Sequence, residues 1–199
     1  KNATQVHGTC IPVPCNVENS NKRPGPACAC ANGFTGEIDW KGVQLEGQCK
    51  PAACDIKNSN TESGLQCSCA NGYEGAITWN GSTPLGNCTR APCNIRHSNK
   101  AEGKACRCLP SYEGNITWNG SDAMGECRPA SCDVEKSNRR PGLDCKCLDG
   151  YAGSITWKGP YAFGACSVAR CGVPDSVGQG IDCKCMDGFV GNITWQGDR

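Results

Sequence analysis

The spacing of cysteine constrains this chain more than any other feature. Cys10, Cys49, Cys88, Cys127 and Cys166 stand 39 residues apart. Cys15, Cys54, Cys93, Cys132 and Cys171 keep that step, as do Cys28, Cys67, Cys106, Cys145 and Cys30, Cys69, Cys108, Cys147. In the last unit one residue is missing between Cys171 and Cys183, so Cys183 and Cys185 arrive after 38. A fixed period of this length marks a tandem repeat protein. One unit reads C-x4-C-x12-C-x-C-x2-G-[YF]-x-G-x-I-[TD]-W-x-G, then about four residues, then G-x-C. The repeats run 10–48, 49–87, 88–126, 127–165 and 166–199, with 1–9 as an incomplete hairpin strand that belongs to a preceding unit.

A 39-residue unit cannot bury a self-sufficient apolar core, so cystines and neighbour contacts must hold it. The expected fold is small, disulfide-rich and mainly β, a linear array of five units. Twenty cysteines in 199 residues belong in an oxidising compartment, extracellular, secreted or at the cell surface. Zinc is not expected. Its knuckles favour two to four residues between cysteines, whereas the close pairs here have one, and the histidines are His7 and His97 alone. With 20 Lys and Arg against 19 Asp and Glu, net charge +1, the chain lacks the basic face that nucleic acid requires. No run approaches 18 apolar residues, so no membrane insertion is expected. No signal peptide is visible, and Lys1 reads as a mature or cropped terminus.

Within a unit, the segment after the second cysteine (Asn16 to Gly25 in repeat one) is polar and rich in Asn, Ser, Pro and Gly, hence turns and loop. After C-x-C the pattern changes: Ile38 and Trp40 alternate with Glu37 and Asp39, the period of a strand. A turn is placed at Lys41-Gly42, Asn80-Gly81, Asn119-Gly120, Lys158-Gly159 and Gln196-Gly197, on the Asn-Gly rule that both positions take positive φ. The return strand ends in G-x-C, with Leu45, Leu85, Met124 or Phe163 three or four positions before that cysteine. Each unit thus holds one β-hairpin and no helix longer than a turn. Gly36, Gly75, Gly114, Gly153 and Gly191 recur in every unit, which implies positive φ or a close backbone approach. Ser111 stands where four units have glycine.

The string C-x-C-x2-G-[YF]-x-G resembles the C-terminal half of an EGF-like module, and every unit carries it, with Ser111 for the first glycine in repeat three. These units have four cysteines where the standard module has six. The stretch after C-x-C is longer, with 18 residues between Cys30 and Cys49. The acidic cluster of the calcium-binding variant is absent, so no calcium site and no other cofactor are expected. Repeats with G-Y-x-G-x-I-T-W also look similar to tandem surface proteins of unicellular eukaryotes, some of which build extracellular filaments.

Two connectivities fit the spacing. In closed units, Cys10 pairs with Cys28 and Cys15 with Cys30. In straddling units, Cys15 pairs with Cys28 and Cys30 with Cys49 of the next repeat. The resemblance favours straddling: Cys15–Cys28, Cys30–Cys49, Cys54–Cys67, Cys69–Cys88, Cys93–Cys106, Cys108–Cys127, Cys132–Cys145, Cys147–Cys166 and Cys171–Cys183. Straddling leaves Cys10 and Cys185 without partners, which implies bonding between chains. The ends are complementary as well. Gly8-Thr9-Cys10 is a return strand, and Asn192 to Gly197 is an outgoing one. Two copies would complete one hairpin head to tail. A fragment cut from a longer array would end in the same way. Joining residue 199 to residue 1 gives 14 steps from Trp195 to Cys10, against 9 from Trp157 to Cys166, an overlap that separate termini would show. The expected partner is therefore a second copy or the neighbouring repeats of a longer chain.

Acceptor sequons for N-linked glycans lie at Asn2, Asn80, Asn87, Asn115, Asn119 and Asn192. Most fall on the hairpin or its turn, and Asn87 is encumbered by its neighbour Cys88. Trp40, Trp79, Trp118, Trp157 and Trp195 recur once per unit and are read as packing residues rather than a sugar-binding row. No nucleotide, hydrolase or zinc-protease motif occurs. His7 and His97 lack repeated partners and read as solvated. The chain is not expected to be an enzyme. Two functions remain: a structural glycoprotein of an extracellular filament, coat or wall, and a rod-like adhesin or receptor segment that binds a protein or glycan.

Overall fold

The computed structural model describes residues 6–195. It is disulfide-rich and mainly β, and its only helical pieces among the described residues are five three-residue 3-10 turns, such as Gly25–Ala27. The chain divides into two compact units, Lys1–Ala91 and Pro92–Arg199.

In the first unit, repeat one forms a hairpin from Ile38–Lys41 and Gln44–Gly47, with Trp40 opposite Leu45. A second, two-residue ladder pairs Phe34–Thr35 with Lys50–Pro51. Repeat two repeats both: Ile77–Asn80 with Thr83–Gly86, and Tyr73–Glu74 with Thr89–Arg90. The short ladder joins residues on either side of the last cysteine, so a repeat finishes folding on the first residues of its successor. Ala91 N–H donates to the Gly72 carbonyl at 3.0 Å, and the unit ends there.

In the second unit, repeat three pairs Ile116–Asn119 with Asp122–Gly125, and repeat four pairs Ile155–Lys158 with Tyr161–Gly164. Their short ladders join Tyr112–Glu113 to Arg128–Pro129 and Tyr151–Ala152 to Ser167–Val168. Repeat five differs. Its ordered ladder pairs Ser176–Val177 with Lys184–Cys185, and residues 192–195 are not in a strand. The expected turn at Gln196-Gly197 lies outside the described residues.

The turn sits one residue later than the sequence reading placed it. The two-residue loops are Gly42-Val43, Gly81-Ser82, Gly120-Ser121 and Gly159-Pro160, with Lys or Asn as the last strand residue. Only the glycine has positive φ, between 57° and 65°. Pro160, fixed near −65°, fits the second position. This is the glycine-first hairpin turn rather than the Asn-Gly form.

The register fixes which side chains face out. Leu45 lies opposite Trp40 and is half-buried. Leu85, Met124 and Phe163 stand one position later, opposite Thr78, Thr117 and Thr156, and are exposed. In a strand one step changes the face. Leu45 is therefore interior filler, and the other three belong to the outward face.

The fully buried residues are mostly cystines and small side chains: Cys15, Cys54, Cys93 and Cys132 with their partners, and Ala52, Ala91 and Ala130. The tryptophans are half-buried. Trp157 and Ile155 lie against a kernel of Cys132, Cys145 and Val134. An interior this small closes around a cystine, and an indole can only lean on it.

Candidate functional surfaces: the cystine joints, the stapled loop and the hairpin face

The structure bonds Cys15–Cys28, Cys54–Cys67, Cys93–Cys106, Cys132–Cys145 and Cys171–Cys183. It bonds Cys30–Cys49, Cys69–Cys88, Cys108–Cys127 and Cys147–Cys166. The first kind encloses the polar loop, and the second fastens the base of the hairpin to the next repeat. Closing loops of 13 and 19 residues restricts the unfolded chain by about 3 kcal/mol each. Cys10 is free and exposed, and Cys185 is free and half-buried. Cys185 occupies the position of Cys30, and Cys10 that of Cys49.

The hairpin base explains the recurrent glycine. A Cβ on Gly36, Gly75, Gly114 or Gly153 would collide with the carbonyl oxygen of Gln48, Asn87, Glu126 or Ala165, the residue before the cysteine. Their φ values of 143° to 159° add backbone strain for any other residue. Gly191 meets only the Cys185 sulfur, at 3.3 Å.

Repeats one and two, and repeats three and four, also touch through their turns. Gly33 N–H donates to the Gly81 carbonyl at 2.8 Å, and Gly81 N–H donates to Asn32 Oδ1 at 3.0 Å. In the second unit Ser111 N–H donates to the Gly159 carbonyl at 2.9 Å. The hairpin tips of repeats two and four thus reach back to the loop of the repeat before within their own unit. Ser111 has φ 69° and a buried hydroxyl without a hydrogen-bond partner.

One residue that sequence reasoning missed organises the polar loop. Asn21 Oδ1 accepts from the N–H groups of Arg23 and Ala29 at 3.1 and 3.2 Å, and its Nδ2 donates to the Ala27 carbonyl at 2.9 Å. Asn60, Asn99 and Asn138 make the same three bonds. The signal was available: each lies six residues after the second cysteine of its repeat. It is hard to see in a segment whose Asn, Ser, Pro and Gly content reads as loop throughout.

His97 is not simply solvated. It stacks on the Tyr112 ring, with centroids 4.3 Å apart and planes within 10°. Its φ of 59° turns it there. Lys136, at the same place in repeat four, lies 5.9 Å over the Tyr151 ring, a cation–π contact.

Of the sequons, Asn2 lies outside the described residues. Asn80, Asn87, Asn115, Asn119 and Asn192 are all exposed. Asn115, Thr117 and Asn119 alternate with half-buried Ile116 and Trp118, so both acceptors of repeat three share the outward face. Asn80 has the corresponding place in repeat two, directly opposite Thr83. In repeat four Ser154 and Lys158 replace the acceptors, and Tyr161 stands opposite Lys158.

No helix among the described residues is long and apolar enough to cross a membrane. Compared with protein-family models, curated proteins and solved structures, the chain matches none.

Proposed function

We propose that this chain is an extracellular structural glycoprotein, a four-cysteine variant of the EGF-like array that contributes to a filament, coat or wall. The observation that carries the reading is the cystine between successive repeats. Cys30–Cys49 and its three equivalents make each repeat a covalent continuation of the last. Such a joint suits a protein that bears load and resists proteolysis, and cystines of this density belong outside the cell. Cys185 and Cys10 are the two halves of one further joint. Their mates are the neighbouring repeats of a longer chain or a second copy, head to tail. N-glycans at the exposed sequons would cover the outward hairpin faces and discourage sideways strand pairing.

The test is a denaturing gel of native material, without and with reductant, paired with intact mass. A ladder of multiples that collapses to one band on reduction is the result expected for the head-to-tail joint. One unreduced band of single-chain mass, with Cys10 and Cys185 recovered as free thiols or bonded to each other, overturns it. The second reading, a binding segment, is favoured by one observation, the exposed aromatic pair Tyr161 and Phe163 in repeat four.

A further inference from the structure

The outward hairpin face is not equivalent along the chain. At the two return-strand positions that face out, repeat one has Gln44 and Glu46, repeat two Thr83 and Leu85, repeat three Asp122 and Met124, and repeat four Tyr161 and Phe163. Tyr161 is 69% exposed and Phe163 51%. They alternate with half-buried Ala162, which lies opposite Trp157, so the two rings share one face about 7 Å apart along the strand. Repeats two and three place a glycan acceptor, Asn80 or Asn119, directly across from the first of these positions. Repeat four has Lys158 there. Where an acceptor stands the aromatic pair is missing, and where the pair stands the acceptor is missing.

Beside the pair runs a groove of about 380 Å³, lined by Glu113, Ser131, Asp133, Pro160, Tyr161 and Phe163. The residues around it, with Ala162 among them, include two aromatics, two acidic residues and a serine. The electron-rich face of an aromatic ring takes the C–H face of a pyranose, and carboxylate oxygens accept from its hydroxyls. A neutral polyhydroxylated ligand matches both halves. An anionic ligand would face Glu113 and Asp133.

We propose that this face of repeat four, with the groove beside it, binds the pyranose rings of an N-linked glycan carried by another copy of the chain. The natural source of the ligand rests on the glycoprotein reading above, but the recognition chemistry does not. Repeats two and three would present the sugar, and repeat four would receive it.

The experiment titrates the intact, disulfide-bonded chain with the synthetic N-glycan core pentasaccharide, followed by saturation-transfer and ring-shift NMR. Tyr161→Thr/Phe163→Leu installs the residues that repeat two carries, and an unchanged disulfide map and melting midpoint certify its fold. Binding near 1 mM is the expected strength, weakened about tenfold or more in that variant. Glu113→Gln/Asp133→Asn is expected to weaken it about threefold while leaving the ring contacts visible. No saturation transfer at about 10 mM ligand, equal binding by the double aromatic variant, or equal binding of maltopentaose overturns the proposal. Intact mass before and after endoglycosidase reports the glycoprotein reading separately. A glycan-free chain that binds the pentasaccharide would sink that reading and keep the site. A glycosylated chain that does not bind would do the reverse.

Discussion

The polar loops of repeats four and five begin with the same C-x4-C spacing and end differently. In repeat four, Cys132 and Cys145 are buried, Asn138 staples the loop with three hydrogen bonds, and Lys136 covers the Tyr151 ring. In repeat five the loop is one residue shorter, no asparagine occupies the corresponding place, and Cys171 and Cys183 are half-exposed. A two-residue ladder, Ser176–Val177 with Lys184–Cys185, takes the place of the single bridge between Ser137 and Cys147. The cystine sets the size of the loop, and the asparagine decides how tightly the loop closes over it. One without the other gives a loop of similar outline whose sulfur stays within reach of solvent.

That difference can be broken most severely at the cystines. Cys132→Ser/Cys145→Ser is expected to cost about 3 kcal/mol or more and to open repeat four locally. Cys171→Ser/Cys183→Ser should cost less, because fewer contacts lean on that bond. Hydrogen exchange resolved by repeat separates the two, and equal loss of protection would show that burial of the cystine is irrelevant. Under graded reductant, Cys171–Cys183 should open before Cys132–Cys145, which thiol alkylation with mass mapping reads directly. The next effect belongs to the hairpin base. Gly114→Ala drives a methyl into the Glu126 carbonyl at φ 148° and should destabilise repeat three by about 3 kcal/mol. Gly191→Ala, with only a sulfur at 3.3 Å, should be close to neutral. Asn138→Ala removes three partly solvated hydrogen bonds and should cost about 1–2 kcal/mol. Its exchange pattern should then approach that of repeat five. Smallest is a gain: Ser111→Gly relieves a positive φ and an unpaired buried hydroxyl, and should raise stability by about 1 kcal/mol. An unchanged melting midpoint would mean that the Ser111 hydroxyl has a partner such as bound water.

The period, the cystine-rich class and the hairpin were legible because cysteine spacing and two-residue alternation are written directly into the chain. The turn was misplaced because Asn-Gly at 80–81 and 119–120 invites one loop type, while Lys41 and Lys158 in the same place fit that type poorly. Pro160, in the second loop position, was the residue that discriminated. The outward placing of Leu85, Met124 and Phe163 does not depend on that shift, because moving a two-residue loop by one residue keeps every strand residue on its face. It follows from their standing three positions before the cysteine, where Leu45 stands four, and so does the aromatic face of repeat four. The pairing of cysteines was not readable from spacing, since both schemes close loops of workable length. The stack of His97 on Tyr112 was hidden because it depends on a left-handed residue 15 positions away in sequence. No local pattern announces such a contact.

The bond between Cys30 and Cys49 sets how such a chain can change over time. Its two sulfurs lie on either side of the repeat boundary, yet a duplication or loss of one 39-residue block still adds or removes two complete cystines and orphans no thiol, because each new boundary again sets a Cys30-type sulfur before a Cys49-type one. Unequal crossing-over between blocks of the same cysteine spacing would therefore alter copy number without disturbing oxidative folding. A partial block would leave unmatched sulfurs and invite mispairing during secretion. The joint thus makes whole-repeat length variants viable and filters out the rest.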